Sequence, residues 1–329
     1  MVRQAHHEGH KGRSSALDIM TEIEQSSQTR AGFVALVGAP NAGKSTLLNT
    51  LVGGKVAIVS PKAQTTRTRV LGIAMRDLPD GTRAQIAFVD TPGIHDRRQK
   101  RLERAMVKAA WQGAADADLV ALLVDAGRGF GDEIRAIAVR LRDIRKPSVL
   151  VLNKIDLVRR DKLLALAAAA NAAHPFERTF MVSAKTGDGV GDLADWLAAA
   201  LPAGPLLYPE DQLTDMPLRL LAAEIVREQV FLQLHEELPY DAAVETEAWT
   251  ERPDGSARVD CAVFVMRESQ RPIALGKGGS RIKMIGSRAR KQLTEIAGRP
   301  VHLFLTVKVK EHWAEDRMRY GEWGLDYDV

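Results

Sequence analysis

Gly38-Ala39-Pro40-Asn41-Ala42-Gly43-Lys44-Ser45 stands between the apolar run Phe33-Val34-Ala35-Leu36-Val37 and a helical stretch. Glycine, four residues, then Gly-Lys-Ser is the spacing of a phosphate-binding loop. Its glycines let successive backbone N–H groups turn inward as an anion-binding concavity, and the following helix adds its positive end. Lys44 is placed to reach the outer phosphates, and the Ser45 hydroxyl to ligate Mg²⁺. The strand before it and the helix after it distinguish this stretch from a loop that merely caps a helix.

Outward from that loop the chain alternates short apolar runs with helical segments. Gln85-Ile86-Ala87-Phe88-Val89 ends at Asp90, and Leu119-Val120-Ala121-Leu122-Leu123-Val124 ends at Asp125. Val149-Leu150-Val151-Leu152 ends at Asn153, and Thr179-Phe180-Met181-Val182 ends at Ser183. Continuous apolar runs between helices indicate an α/β fold with a mostly parallel sheet covered on both faces. Ligands of such sheets lie at the carboxyl ends of the strands. Four of the five runs end on a residue with a place at a nucleotide; Asp125 receives none.

Asp90-Thr91-Pro92-Gly93 follows Lys44 by 46 residues. Alone, Asp-x-x-Gly is commonly a turn. On a strand end at this distance, Asp90 is expected to hold Mg²⁺ and the Gly93 N–H to meet a γ-phosphate. Asn153-Lys154-Ile155-Asp156 names the base. The Asp156 carboxylate can accept from guanine N1–H and from its 2-amino group, an arrangement that adenine lacks, so discrimination by roughly 10⁴ is available. Lys154 is expected along the base plane and against the phosphate loop. Ser183-Ala184-Lys185 closes the site, with the Ala184 N–H directed at guanine O6. In Gln64-Thr65-Thr66-Arg67 a threonine can complete the Mg²⁺ shell only when the γ-phosphate is present, giving a loop that orders with GTP. Thr66 is the expected ligand and Thr65 its competitor. The expected catalytic set is Lys44, Thr66 and Gly93. Ile94 occupies the position where some GTPases carry a glutamine that orients water. Hydrolysis is therefore expected to be slow, or to depend on backbone, a cation or a partner.

A length of 329 residues suits two domains, and the net charge of +4 is too small to identify a polyanionic partner by itself. The single cysteine, Cys261, cannot form an intrachain disulfide, which points to a reducing compartment. No apolar stretch is long enough to span a bilayer, and the first residues lack the apolar middle of a secretory signal. Residues 1–30 are expected to be a disordered arm, the alternative for its His6, His7 and His10 being a metal site. The nucleotide domain is placed at 31–201, a proline-rich linker at 202–217 and a second domain with its tail at 218–329. That second part reads as a helix to about Glu237, a hairpin turning at Pro253-Asp254-Gly255-Ser256, a basic helix-turn-helix and a strand from Val301 to Val309. Between Arg271 and Lys291 there are seven basic residues and no acidic one. Gly276-Lys277-Gly278-Gly279, inside that stretch, resembles the loop by which KH domains clamp single-stranded nucleic acid. Gly276, Lys277, Gly278, Gly279, Arg281, Lys283, Arg288 and Arg290 are the expected RNA contacts.

Taken together, these motifs resemble the Era family, bacterial GTPases of ribosome assembly, over about residues 30 to 320. The resemblance also rests on Glu237-Leu238-Pro239-Tyr240, Leu275 to Lys283 and Val307-Lys308-Val309-Lys310. It implies a P-loop GTPase domain followed by an α+β type-2 KH domain. It further implies GTP hydrolysis coupled to binding near the 3′ end of 16S rRNA during maturation of the 30S subunit. Family members are cytoplasmic and associate peripherally with the inner membrane; a monomer is expected. Related GTPases bind K⁺ through the asparagine of the phosphate loop, here Asn41. Two other readings compete. In one, an RNA-binding protein keeps its nucleotide as a structural ligand; in the other, the chain is a GTPase of tRNA modification or membrane signalling. The terminal Tyr327-Asp328-Val329 has neither the catalytic cysteine nor the lipidation signal that the last would use.

Overall fold

The structure, a computed structural model, describes residues 29–62, 65–95, 100–234 and 238–329. The arm up to residue 28, with its three histidines, lies outside the described residues, as do Gln64 and Glu237. The first sheet is built from β1 (Thr29–Gly38), β2 (Val70–Asp77), β3 (Arg83–Asp90), β4 (Leu119–Asp125), β5 (Ser148–Asn153) and β6 (Arg178–Val182). Their order is β2-β3-β1-β4-β5-β6, all parallel except β2, which runs antiparallel to β3. Every residue of β4 and β5 is buried, as a sheet covered on both faces requires. Helices α1 (Lys44–Val52) and α5 (Val190–Ala200) pack on one face. Helices α2 (Arg101–Asp116), α3 (Asp132–Ile144) and α4 (Arg160–Ala173) pack on the other. The five apolar runs become β1, β3, β4, β5 and β6. The edge strand β2 is not among them, although Val70 to Ala74 are all buried.

Residues 202–217 contain no helix or strand, yet they are not a free tether. Gly204 N–H donates to Thr29 O (3.1 Å), and the Gln85 side chain accepts from the Leu207 and Tyr208 N–H groups at 2.8 and 2.9 Å. Ile73 N–H donates to Leu213 O at 2.8 Å, so the segment covers the open edge of β2 that would otherwise invite pairing.

The second unit places β7 (Ala243–Glu251), β8 (Ala257–Val265) and β9 (Val301–Val309) in that order, β7 and β8 antiparallel and β8 and β9 parallel. Gly255 takes the left-handed conformation (φ 79°) in the expected hairpin turn. Helices α6 (Leu218–Gln233) and α8 (Ser280–Ala297) cover one face of this sheet, with the short α7 (Arg271–Leu275) before the glycine loop. On the other face, Ala243, Ala262 and Phe264 meet Leu102, Ala105 and Met106 of α2 from the first unit. Trp313, Tyr320 and Leu325, around α9 (Arg317–Glu322), close the same cluster. The tail therefore belongs to the packing between the two units.

Candidate guanine-nucleotide site and nucleic-acid face

The phosphate loop closes upon itself. Asn41 and Gly43 take left-handed backbone conformations (φ 64° and 95°), and a Cβ on Gly43 would lie 2.3 Å from Asn153 Nδ2. Lys44, only 6% exposed, donates from Nζ to the carbonyls of Gly38 and Ala39, each at 3.0 Å. Burial lowers its pKa to about 8, against the opposing pull of Asp90. An anion placed in the loop would relieve that desolvation, which is how a buried ammonium becomes a phosphate ligand.

In front of Lys44, three oxygen-bearing side chains converge. Ser45 Oγ donates to Asp90 Oδ2 at 2.6 Å, Thr66 Oγ1 lies 3.2 Å from the same oxygen, and the two hydroxyls are 2.9 Å apart. The Thr65 hydroxyl faces elsewhere, toward Ser60 Oγ (2.6 Å) and Lys62 O (2.7 Å). Asp90 is fully buried, and burial raises its pKa against the pull of Lys44. Among the described residues, its Oδ1 has no hydrogen-bond partner. A buried carboxylate oxygen without a partner, beside two hydroxyls, fits a hard divalent cation with oxygen ligands. Next to it, Thr91 Oγ1 donates to Leu36 O (2.8 Å), and Ile94 N–H donates to Gly38 O (3.1 Å). These bonds tie Thr91-Pro92-Gly93-Ile94 to β1 and to the phosphate loop.

At the base end, Asn153 acts as a pin. Its Nδ2 donates to Ala42 O (2.9 Å), while its Oδ1 accepts from the N–H groups of Lys154 (2.8 Å) and Ala184 (3.0 Å). One side chain thus joins the phosphate loop, its own turn and Ser183-Ala184-Lys185. The Ala184 N–H, assigned from sequence to guanine O6, is spent here on Asn153. Lys154 Nζ donates to Asn41 O and to Asp125 Oδ2, both at 2.7 Å. Asp125, left without a role by the sequence, holds that lysine against the phosphate loop. Its signal was its position, since it ends an apolar strand as the other site residues do. The exposed Asp156 accepts from Ser183 Oγ at 2.7 Å, which fixes its carboxylate at the rim beyond Ile155. Lys185 is exposed.

On the second unit, Gly276, Gly278 and Gly279 all have positive φ (72°, 61° and 76°), a path that only glycine takes freely. Lys277 is exposed, as are the apolar Ile273 of α7 and Met284 of α8. The basic residues of α8 do not share one face. Arg281 and Arg288 are seven apart and stack, as do Lys283 and Arg290, but the two pairs flank opposite sides of the buried stripe Ile285, Ala289 and Leu293. Arg281 also donates from Nη1 to Ile273 O (2.8 Å), bracing the glycine loop.

Comparison with known proteins bears on both halves. A family model of 50S ribosome-binding GTPases matches residues 33–154, and one of the KH domain matches residues 237–314. GTPase Era of Sinorhizobium medicae is 58% identical over 299 residues, covering 91% of this chain and 94% of its own. The chain belongs to the Era family of GTPases. Era of Rhizobium meliloti is 56% identical over 315 residues, covering 94% of this chain and 99% of its own. Era of Aquifex aeolicus, solved as a Y63A variant with GDP and AlF4⁻, is 40% identical with a TM-score of 0.84; the match covers 91% of this chain and all of that one. A second Era structure, in complex with MgGDPNP and nucleotides 1506–1542 of 16S ribosomal RNA, is 39% identical with a TM-score of 0.84. That match covers 92% of this chain and all of the other. The large-subunit description belongs to a model that spans the nucleotide half alone.

As an Era-family GTPase the chain hydrolyses GTP, and the Ile94 side chain has no polar group with which to orient water. Ile94 is 4% exposed and packs with Val107 and Trp111 of α2. Ile94→Ala is expected to cost about 2–4 kcal/mol of stability through the cavity it leaves. Its hydrolysis rate per folded molecule should stay within about a hundredfold of the parent, less than one missing oxyanion donor costs. Single-turnover rates beside a denaturant titration check both, and a larger rate loss would give Ile94 a part in the chemistry.

Proposed function

We propose that the chain binds Mg·GTP at the carboxyl ends of β1, β3, β5 and β6, and that its nucleotide state governs how the KH domain takes RNA from the 3′ region of 16S rRNA during 30S maturation. The observation that carries this reading is the Thr66 hydroxyl lying among those of Ser45 and the carboxylate of Asp90, on a loop outside the sheet. A ligand borrowed from a loop is one that can be held with GTP and released with GDP. Ser45, Thr66 and Asp90 would hold Mg²⁺, whose charge offsets that developing on the phosphates. Gly38, Ala39, Pro40, Asn41, Ala42, Gly43 and Lys44 surround the phosphates, every residue but Pro40 with an N–H group and Lys44 with its ammonium as well. Thr91, Pro92, Gly93 and Ile94 close over the γ-phosphate. Asn153, Lys154, Ile155 and Asp156, with Ser183, Ala184 and Lys185, take the guanine.

Gly276 to Gly279, with Lys277 outermost, meet the RNA backbone, flanked by Arg281 and Arg288 on one side and Lys283 and Arg290 on the other. The same reading includes K⁺ at Asn41, a monomer, and a cytoplasmic protein in peripheral contact with the inner membrane. It divides the chain at 31–201, 202–217 and 218–329. Among the described residues no helix is long and apolar enough to cross a membrane.

The test is the affinity for an RNA carrying the 3′ end of 16S rRNA, measured with GTP analogue, with GDP and without nucleotide. Binding is expected to be tightest with the analogue; three equal affinities would leave nucleotide and RNA without any coupling free energy. Lys277→Ala should weaken binding in every state and flatten its salt dependence by about one unit of slope.

A further inference from the structure

The loop that carries Thr66 is held from outside its own domain. Glu228 of α6, 3% exposed, accepts from Lys55 Nζ (2.5 Å) and from the Val59 N–H (2.8 Å). Lys62 Nζ donates to the carbonyls of Phe231 and Leu234, where α6 ends and a cation also meets the negative end of the helix dipole. Arg67, the residue after Thr66, is 2% exposed. Its Nη1 donates to Ala242 O (2.8 Å) and its Nη2 to Tyr240 O (3.0 Å), with Pro239 O at 3.4 Å. The guanidinium lies 5.6 Å from the Phe231 ring centre and 5.2 Å from that of Trp313. Each of these acceptors and rings belongs to the KH unit.

Adjacent residues therefore face opposite ways: Thr66 toward Ser45 and Asp90, Arg67 into the partner domain. Consecutive Cα atoms are about 3.8 Å apart, so Thr66 cannot retreat far while Arg67 stays in place. Withdrawing Arg67 would strip the Ala242 and Tyr240 carbonyls of their donor and take the guanidinium from between the two rings, which favours one defined position over a graded one.

We propose that Arg67 is a positioning residue for GTP recognition: its anchorage in the KH domain holds the backbone that presents Thr66 to Mg²⁺ and the γ-phosphate. Discrimination between GTP and GDP then depends on the domain interface as well as on the phosphate loop. The inference rests on the role given to Thr66 above.

The test uses the full chain and four variants: Arg67→Met, which keeps an apolar stem between the two rings, Arg67→Lys, Thr66→Ala, and the Arg67→Met/Thr66→Ala double. GDP affinity, affinity for a non-hydrolysable GTP analogue with Mg²⁺, kcat and KM are measured on each. Arg67→Met is expected to leave GDP affinity within about twofold and to lower the preference for the analogue by roughly tenfold, within the ordinary range of coupling between sites. The Mg²⁺ concentration giving half-maximal hydrolysis should rise. Arg67→Lys should recover part of the loss. The double variant should be no worse than Thr66→Ala, because residues acting through one another do not add. Equal losses for GDP and analogue, or additive losses in the double variant, would reduce Arg67 to general packing and overturn the proposal. If Thr66→Ala itself keeps the full preference for the analogue, the role of Thr66 fails, and the inference falls with it. Should Thr66→Ala lose that preference while Arg67→Met keeps it, only the inference fails.

Discussion

Asp156→Asn is expected to lower GTP affinity by roughly 10⁴ while leaving the fold intact and creating measurable affinity for xanthosine triphosphate. The carboxylate sits exposed at the rim with Oδ1 fixed by Ser183, so its orientation is set before any base arrives. Guanine presents two donors side by side, N1–H and the 2-amino group, and a carboxylate offers two acceptors. Asparagine keeps one acceptor and replaces the other with an NH2 group, so that a donor now faces a donor. The loss is then one hydrogen bond plus the cost of leaving polar groups unpaired. Xanthine carries a carbonyl where guanine carries its amino group, and the asparagine NH2 can donate to it. Because Asp156 is exposed, the stability change should stay within about 0.5 kcal/mol, which separates a lost base contact from a damaged domain. Calorimetric titration with GTP, XTP and ATP decides the matter. GTP held within tenfold of the parent value, or ATP bound as tightly as GTP, would remove Asp156 as the base-reading group and with it the guanine assignment.

Much of this site was legible because its residues lie in short stretches at the ends of apolar strands. The phosphate loop, Asp90-Thr91-Pro92-Gly93, Asn153 to Asp156 and Ser183 to Lys185 each declare a local backbone need or a local charge, and strand order brings them to one edge. Contacts between distant stretches left no such mark. Nothing near Asn153 in sequence shows that its amide will join Ala42 and Ala184, 111 and 31 residues away. Asp125 looked idle because its partner, Lys154, comes from the next strand. The segment at 202–217 looked like a tether because proline-rich chain has no period, yet its hydrogen bonds run to β1, β2 and β3. Of the seven basic residues counted over 271–291, five lie on α8, and the division of Arg281 and Arg288 from Lys283 and Arg290 follows from the helical repeat. The edge strand β2 carries no such mark, because its run Val70 to Ala74 is broken by Gly72 and ends at no site residue.

Gly93→Ala should abolish most GTP hydrolysis while sparing GDP binding. Its φ lies outside the left-handed region, so the obstacle is space rather than conformation. A Cβ there would sit 2.8 Å from the N, Cα and Cγ of Pro40, closer than real methyl carbons approach, and two of those atoms are backbone. Pro40 cannot swing aside as a long side chain would, since it lies inside the phosphate loop that Lys44 closes from below. The methyl group must therefore push the Asp90–Ile94 segment away from the loop, straining the Ile94 N–H bond to Gly38 O and withdrawing the Gly93 N–H from the γ-phosphate. Overpacking of this kind costs about 1–3 kcal/mol of stability. The catalytic loss is the larger effect: removing one aligned donor from a developing charge costs roughly a hundredfold or more. GDP has no γ-phosphate to miss, and its affinity should change only a few-fold. Single-turnover hydrolysis, with GDP and GTP-analogue affinities measured on the same preparation, separates these outcomes. A variant that still hydrolyses GTP within about tenfold of the parent would show that the phosphate loop yields to the extra carbon. If the loop does not yield, the same variant should also lose any gain in RNA affinity on binding GTP analogue, because an enzyme that cannot close on the γ-phosphate has nothing to transmit to its KH domain.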